Sequence, residues 1–173
     1  MGNCLKAVND QPETASAPTG SPVTTKKVDL MLIDPDTVPS LHYQNEPIEA
    51  RVVDIYDGDT CTVIYAIQNN VMIKQKIRII GIDTPEVNRA SALEKQAGAK
   101  VREYVRQLML DQMVILTLIC HDKYGGRVDG EIQLANGVSL GQHLIEKKYA
   151  KPFDGKSKKV AWTDHELQWI IQH

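Results

Sequence analysis

Three short strand-like runs follow one another between residues 48 and 80, and they constrain the fold more than any other feature of this sequence. The runs read IEARVVDIY, TCTVIYAI and VMIKQKIRII, and the turns between them read DGDT and QNN. β-Branched residues favour strands, and Asp-Gly and Asn-rich turns join antiparallel neighbours. The pattern therefore predicts a three-stranded antiparallel meander, with Gly58 at positive φ in its first turn.

The rest of the chain predicts one long helix, two further strands and two short helices. The long helix lies within residues 89–110, the strands cover 113–119 and 127–134, and the short helices lie within 139–150 and 163–173. Gly98 weakens the long helix by about 1 kcal/mol relative to Ala, unless close packing requires the missing side chain. Thr163 and Glu166 are spaced as a capping box at the start of the last helix. This order predicts an α+β, mainly β fold, a five-stranded OB-type barrel with about three helices.

The N-terminal part of the chain differs from the remainder in composition. Residues 1–27 are rich in Pro, Ser, Thr and Gly and offer little to bury. We therefore predict a disordered or loosely docked tail over residues 1–45 and a folded domain over residues 46–173. A length of 173 residues suits one domain with an appendage.

Charge and cysteine content exclude some classes of protein. The net charge of −2 does not indicate a strongly basic protein, so a nucleic-acid-binding surface has to be local. One local cluster is basic, and it could follow a phosphate backbone or form a solvated surface; it consists of Lys147, Lys148, Lys151, Lys156, Lys158 and Lys159. Three cysteines exclude a disulfide framework, and Cys61 and Cys120, in strand-like runs, are predicted to be buried free thiols.

Carboxylates cluster where the predicted strands end. Asp57 and Asp59 lie in the first turn, and Asp83 and Glu86 follow the third strand. Each group alone is also explained as an ordinary turn or helix start. Together at one end of a barrel they would repel one another unless a hard cation lay between them, and oxygen ligands favour Ca²⁺ or Mg²⁺ over zinc. Arg78 lies at an otherwise apolar strand end, and its planar fork suits a phosphate.

The motifs DGDT and RIIGIDTPE, then a helix, then DKYGGR, resemble the staphylococcal nuclease (thermonuclease) family in order and spacing over about residues 48–169. This resemblance implies a Ca²⁺-dependent nuclease that hydrolyses phosphodiester bonds of DNA, and of RNA as well, with low sequence specificity. It also implies one bound Ca²⁺ ion. We expect a monomer whose partner is its nucleic acid substrate.

The resemblance assigns metal-binding roles one position at a time. Asp59 and Asp83 resemble the two carboxylates that ligate calcium, and Thr84 would contribute its backbone carbonyl. Asp57 resembles the carboxylate that supports these ligands from the first turn. Two direct carboxylates leave positions for water and substrate, so we expect an open site.

Catalytic roles follow from the same resemblance. Glu86 resembles the general base, or the residue that positions the attacking water. Arg78 and Arg127 resemble the arginines that hold the phosphodiester and stabilise its transition-state charge. The loop before Arg127 is one glycine longer than the usual KYGR, and the alternation of the following strand puts the extra residue in the turn.

Three further residues would lie against bound nucleic acid. Lys123 and Tyr124 match the loop beside the bound nucleotide, and Phe153 stands where the family often has Tyr. A phenyl ring can stack on a base but lacks the hydroxyl donor.

The sequence leaves two alternatives to a nuclease. A nuclease-like domain with weak or no activity could act as a binding module for nucleic acid or protein, although this chain retains every catalytic residue type of the motifs. An unrelated OB-type single-strand binder would need stacking aromatics on its strands, and the chain has one Phe and two Trp.

The sequence MGNCLK raises the question of membrane attachment. Gly2 could carry a myristoyl group and Cys4 a palmitoyl group, although Lys6 departs from the Ser or Thr preferred there. No apolar run approaches the length of a spanning helix, and no secretory signal is visible. We therefore expect a cytoplasmic protein, with attachment through N-terminal lipids as the open alternative.

Overall fold

The computed structural model describes residues 29–37, 46–67, 70–121 and 125–173. The chain divides into two units, Met1–Ser40 and Leu41–His173. In the first unit the described residues form two single-turn 3-10 helices, Leu30–Leu32 and Pro35–Thr37. The predictions for residues 1–28 and 38–45 concern parts of the chain outside the described residues.

Five strands of the second unit close into a barrel. They are β1 (Pro47–Asp57), β2 (Thr60–Ile67), β3 (Val71–Ile79), β5 (Met113–His121) and β6 (Val128–Gln133). Their order around the barrel is β1-β2-β3-β6-β5, with β3 and β6 parallel and the other neighbours antiparallel. The predicted meander and the OB-type α+β fold are confirmed. Two short strands that the sequence did not predict, β4 (Ile82–Asp83) and β7 (Lys151–Pro152), pair antiparallel beside the barrel.

Three α-helices complete the unit: α1 (Ala92–Met109), α2 (Leu140–Glu146) and α3 (Asp164–Gln172). Helix α1 begins after Ser91, whose hydroxyl accepts a hydrogen bond from the Glu94 backbone N–H at 3.1 Å. The predicted capping box of α3 is confirmed, because Thr163 and Glu166 each accept a bond from the other's backbone N–H. Among the described residues, no helix has both the length and the apolarity needed to cross a membrane.

The core fills the barrel and continues under all three α-helices. Its largest members with almost no exposed surface are Val52, Val63, Ile77, Ile79, Ile82, Met109, Leu116, Ile132, Leu140, Leu144, Leu167 and Ile170. Strand alternation places Ile77 and Ile79 of β3 in this core. Lys76 and Arg78, which alternate with these two residues, therefore belong to the opposite face of β3.

Two sequence predictions about single residues are wrong. Gly58 does not adopt positive φ. A Cβ atom there would lie 2.6 Å from Val101 Cγ1, so the position requires glycine because the turn packs closely against Val101. Cys120 is exposed, whereas Cys61 is buried as predicted. The pairing of β5 with β6 shifts register between Leu118 and Cys120, which ends the alternation that would have turned Cys120 inward.

Candidate active site

Two separate segments meet at one end of the barrel through Asp59. The backbone N–H of Thr84 donates to Asp59 Oδ2 at 3.2 Å, and the Thr60 hydroxyl donates to Asp59 Oδ1 at 3.1 Å. In the same turn, the Asp59 N–H donates to Asp57 Oδ1 at 3.3 Å. The structure thus brings Asp57 and Asp59 of the β1–β2 turn together with Asp83 and Thr84, and all four are buried.

Helix α1 makes this meeting possible by approaching both segments closely. In the first segment, a Cβ atom at Gly58 would lie 2.8 Å from Thr84 Cγ2 and 2.6 Å from Val101 of the helix. In the second, a Cβ atom at Gly98 would lie 2.6 Å from the carbonyl oxygen of Pro85. The close packing that could require Gly98 is therefore present.

The first turn of α1 also holds Glu86 by its backbone. The Glu86 N–H donates to Glu94 Oε1 at 3.2 Å, and Glu94 is the residue whose own N–H is capped by Ser91. The backbone that carries Glu86 is therefore fastened to the start of a helix, while the side chain remains half-exposed.

Burial dominates the electrostatics of Asp59. With 6% of its surface exposed, its pKa is raised to about 7, first by burial, while Arg78 opposes the rise and Asp57 and Asp83 add to it. Arg78 already lies beside this carboxyl, and a further positive charge would favour its ionised form. The site is therefore one where a bound cation would be stabilising.

Arg78 supplies part of that charge in a fixed orientation. Its Nη1 lies 3.1 Å from Asp59 Oδ2 and donates to the carbonyl of Ile79 at 2.6 Å. Its Nη2 donates to the carbonyl of Ile82 at 2.9 Å. These contacts hold a guanidinium at the site before any substrate arrives, and a held guanidinium loses little entropy when it binds phosphate.

Lys159 joins two of the predicted site residues. Its ammonium lies 2.5 Å from Asp83 Oδ1 and 3.1 Å from Glu86 Oε1. Burial lowers the pKa of Lys159, but the two carboxylates outweigh that effect and the pKa is raised. The same ammonium lies 5.9 Å from the centre of the Phe153 ring, so Phe153 borders the site.

Two other lysines of the predicted basic cluster have side chains that contact α3 or the residues just before it. Lys151 donates to Glu166 at 2.8 Å and lies over the Trp162 ring, while Lys148 lies over Trp169. The predicted cluster therefore has three parts. Lys148 and Lys151 contact α3, Lys159 contacts the carboxylates, and the remaining lysines are exposed.

The donor set fits a hard cation with an open coordination shell. Among the described residues, no three His, Cys, Asp or Glu side chains form a metal-binding group. Asp83 Oδ1 is buried and makes no well-oriented hydrogen bond, and its neighbour is the Lys159 ammonium. An oxygen in this state, close to a second buried carboxylate, can accept a cation in place of the ammonium, with water and backbone oxygens as further ligands.

Arg127 stands just before β6 and lines a cavity together with Thr60, whose hydroxyl donates to Asp59. The other lining residues are Tyr56, Lys76, Gly125 and Gly126. The two glycines adopt left-handed conformations (φ +73° and +74°) before the strand starts, so the extra glycine lies in the turn, as predicted. The predicted residues Lys123 and Tyr124 lie outside the described residues, as do Gly2 and Cys4, and their roles stay predictions.

Three residues of the site were not assigned to it from sequence. The sequence indicates Thr60 only as the start of a strand, Glu94 only as part of a helix and Lys159 only as a member of a basic cluster. A capping pattern at Ser91 could have indicated Glu94 as a first-turn residue. No sequence signal connects Lys159 to Asp83, because the contact spans much of the domain.

A family model described as staphylococcal nuclease homologue matches residues 76–169. The match covers more than half of the 173-residue chain. It includes Arg78, Asp83, Glu86 and Arg127 and begins after the turn that carries Asp59. No curated protein matches the sequence. A domain of this kind is a nuclease-type or nucleic-acid-binding module.

Proposed function

Because this chain belongs to the staphylococcal nuclease homologue family, we propose that it is a Ca²⁺-dependent nuclease that hydrolyses phosphodiester bonds of DNA and RNA with low sequence specificity. The observation that carries this proposal is the cluster of Asp59, Arg78, Asp83 and Glu86. Arg78 forms an ion pair with Asp59, and Asp83 is buried at the same end of the barrel. The Lys159 ammonium contacts both Asp83 and Glu86. A cluster of this composition matches the needs of phosphodiester hydrolysis.

Asp59 and Asp83 would hold one Ca²⁺ ion, together with the backbone carbonyl of Thr84. When bound, the ion would neutralise charge on the phosphate oxygens as the reaction adds to it. The buried, crowded carboxylates support this assignment, because their mutual repulsion is relieved by a cation. Asp57 would keep the turn in shape through its bond to the Asp59 N–H.

The remaining residues would act directly on substrate. Arg78 donates its fork to the phosphate, and Arg127, from the neighbouring cavity, adds a second guanidinium. Preorganised donors of this kind stabilise developing charge without reorganisation, and the loss of one costs about 3–4 kcal/mol in comparable sites. Glu86 accepts a proton from water or orients that water for in-line attack. Its tether to Glu94 supports such a positioning role.

One observation favours the alternative of a binding module without activity. Lys159 contacts Asp83 and Glu86 at once, and so occupies the region where a metal ion and an attacking water would be needed. If this ammonium stayed in place, the arginines could bind phosphate while no hydrolysis followed.

The experiment that separates the two functions is digestion of single-stranded DNA, duplex DNA and RNA by the purified chain, with Ca²⁺ or with a chelator. Glu86→Gln and Arg78→Ala are the test variants. Glu131→Gln and Arg102→Ala, on the exposed surfaces of β6 and α1, are matched controls. Binding of a fluorescent single strand is measured on all five proteins.

A nuclease predicts cleavage that needs Ca²⁺, falls at least a hundredfold in both test variants and persists in both controls. The binding module predicts strand binding by the wild type in Ca²⁺ without cleavage. The absence of both cleavage and binding would contradict both functions.

A further inference from the structure

A cavity beside the candidate active site is lined in part by Tyr56 and Lys76, to which the proposed function assigns no role. It has a volume of about 360 Å³ and is lined by Tyr56, Thr60, Lys76, Gly125, Gly126 and Arg127. That volume is within the range of about 300–1,000 Å³ in which small-molecule sites fall. Because Arg127 lines it, the cavity adjoins the place where the scissile phosphate would be held.

Tyr56 and Lys76 form an ordered pair at the wall of this cavity. The Lys76 ammonium lies 4.6 Å from the centre of the Tyr56 ring, a cation–π contact. The amide of Asn88 donates to the Tyr56 hydroxyl at 3.3 Å. Tyr56 nevertheless keeps 45% of its surface exposed. It is therefore held in position and still available for stacking.

Lys76 continues a row of positive charge that begins at Arg78. The two residues share one face of β3 and are two positions apart, which separates their backbones by about 7 Å. In the neighbouring strand, Thr60 pairs with Arg78 and Thr62 pairs with Lys76. Successive phosphates of an extended strand could therefore meet Arg78 and then Lys76.

The charge of the lining favours an anion. Lys76 and Arg127 are both cationic, and the lining residues that the structure describes include no Asp or Glu. An exposed aromatic ring next to cationic side chains is the combination by which proteins bind single-stranded nucleic acid, since every base has a face that can stack. A base in a duplex already stacks on its neighbours and is not free to do so.

We propose that this cavity, the Tyr56 pocket, binds the nucleotide adjacent to the scissile phosphodiester of a single-stranded substrate, with the base on Tyr56 and the outer phosphate on Lys76. The proposal rests on the proposed nuclease function and adds a subsite to it. It assigns no part in bond cleavage to either residue.

The test compares Lys76→Gln and Tyr56→Leu with the control Lys100→Gln, which changes an exposed lysine of α1 outside the pocket. Binding of a fluorescent oligothymidylate is measured in Ca²⁺ by anisotropy, with Glu86→Gln introduced into every protein so that the strand survives. Cleavage is measured without Glu86→Gln, on the oligothymidylate and on a thymidine dinucleotide that has no outer phosphate.

We expect Lys76→Gln to weaken binding of the oligothymidylate roughly five- to tenfold and to reduce its salt slope by about 0.7, as for one lost phosphate contact. The ratio of kcat/KM for the oligothymidylate to that for the dinucleotide should fall by a similar factor. Tyr56→Leu should weaken binding roughly fivefold or more, and Tyr56→Phe, which retains the ring, should restore it.

The results also separate this proposal from the function on which it rests. If the wild type binds or cleaves the strand and Lys76→Gln behaves like Lys100→Gln, the pocket proposal is wrong and the nuclease proposal stands. If the wild type binds without cleaving, the anisotropy series alone decides the pocket proposal. If the wild type neither binds nor cleaves, both proposals fall.

Discussion

Lys159 places a positive charge against Glu86 and against Asp83, one of the two carboxylates to which the proposed function assigns a divalent cation. In chelator, we expect this ammonium to relieve the repulsion of the carboxylates. When Ca²⁺ binds, the same ammonium becomes a competitor, because two cations at Asp83 repel each other. A single side chain therefore affects both the stability of the protein in chelator and its affinity for the ion.

Replacing Lys159 by Met should tighten Ca²⁺ binding by up to about fivefold, since partly exposed ion pairs of this kind are weak. In chelator, the melting temperature of Lys159→Met should fall below that of the wild type, because Asp83 and Glu86 lose their counter-charge. Isothermal titration with Ca²⁺ and thermal melting measure the two effects. Lys158→Met removes an exposed neighbouring lysine and is the control. Weaker Ca²⁺ binding in Lys159→Met would show that the ammonium supports the ion rather than competing with it.

The sequence indicates the residue types of the site and which strand ends carry them, but it does not indicate the contact made by Lys159. Asp59, Arg78 and Asp83 lie at the ends of strands whose turns and alternation are local patterns, so their meeting at one barrel end could be predicted. Lys159 follows a stretch without periodicity, and its contact with Asp83 depends on where the complete fold leaves that stretch. Long-range side-chain contacts of this kind have no local signal.

Among the elements, helix α1 determines how closely the two carboxylate segments approach. Val101 contacts the Gly58 turn, and Gly98 lies against the backbone of Pro85 and Glu86. Periodicity predicted this helix, and the glycine within it pointed to a close contact without naming the partner. Strands β4 and β7 could not be predicted, because two residues carry no alternation. The register shift in β5 that exposes Cys120 also lacks a sequence signature.

Gly98→Ala should destabilise the protein by about 1–3 kcal/mol, because the added methyl group would meet the Pro85 carbonyl and force the backbone to move. Helix propensity alone predicts the opposite sign, a gain of about 1 kcal/mol. The displaced backbone carries Glu86, so kcat should fall more than KM changes. Urea unfolding and steady-state kinetics measure both effects, and Gln96→Ala on the exposed face of α1 is the control. A stabilised, fully active Gly98→Ala would contradict the tight contact.

Helix α3 is attached through an acid-sensitive contact between Glu166 and Lys151. Burial raises the pKa of Glu166, but hydrogen bonds from Lys151 and Thr163 outweigh it and lower the pKa from 4.5 to about 2. A carboxyl with a lowered folded-state pKa contributes stability above pH 4.5 that is lost as the pH falls toward about 2. Glu166→Gln should therefore lose less stability than the wild type across this window. Urea midpoints measured across it test the prediction, with Glu131→Gln as the exposed control. Parallel acid curves for Glu166→Gln and wild type would refute it.

At the scale of the whole molecule, the candidate ion site joins parts of the chain that are distant in sequence. Asp59 belongs to the β1–β2 turn, whereas Asp83 lies in β4, which pairs with β7 near the C-terminal helix. An unfolded chain does not hold these carboxylates together, so an ion that binds both stabilises only the folded state. Ca²⁺ binding should therefore be visible as stability of the complete domain, independently of any nuclease activity.

Ca²⁺ at a hundred times its dissociation constant should stabilise the domain by about 2.7 kcal/mol, and the melting temperature should continue to rise with further Ca²⁺. Asp83→Asn should remove most of this rise, because it deletes one of two direct carboxylates while retaining nearly the same volume. Asp111→Asn is the matched control, since Asp111 is exposed and pairs only with Arg51 among the contacts described. Thermal melting across a Ca²⁺ series, repeated with Mg²⁺, measures the effect without substrate. If Asp83→Asn and Asp111→Asn gave the same rise as the wild type, the ion would bind elsewhere, and the assignment of Asp59 and Asp83 as its ligands would be wrong.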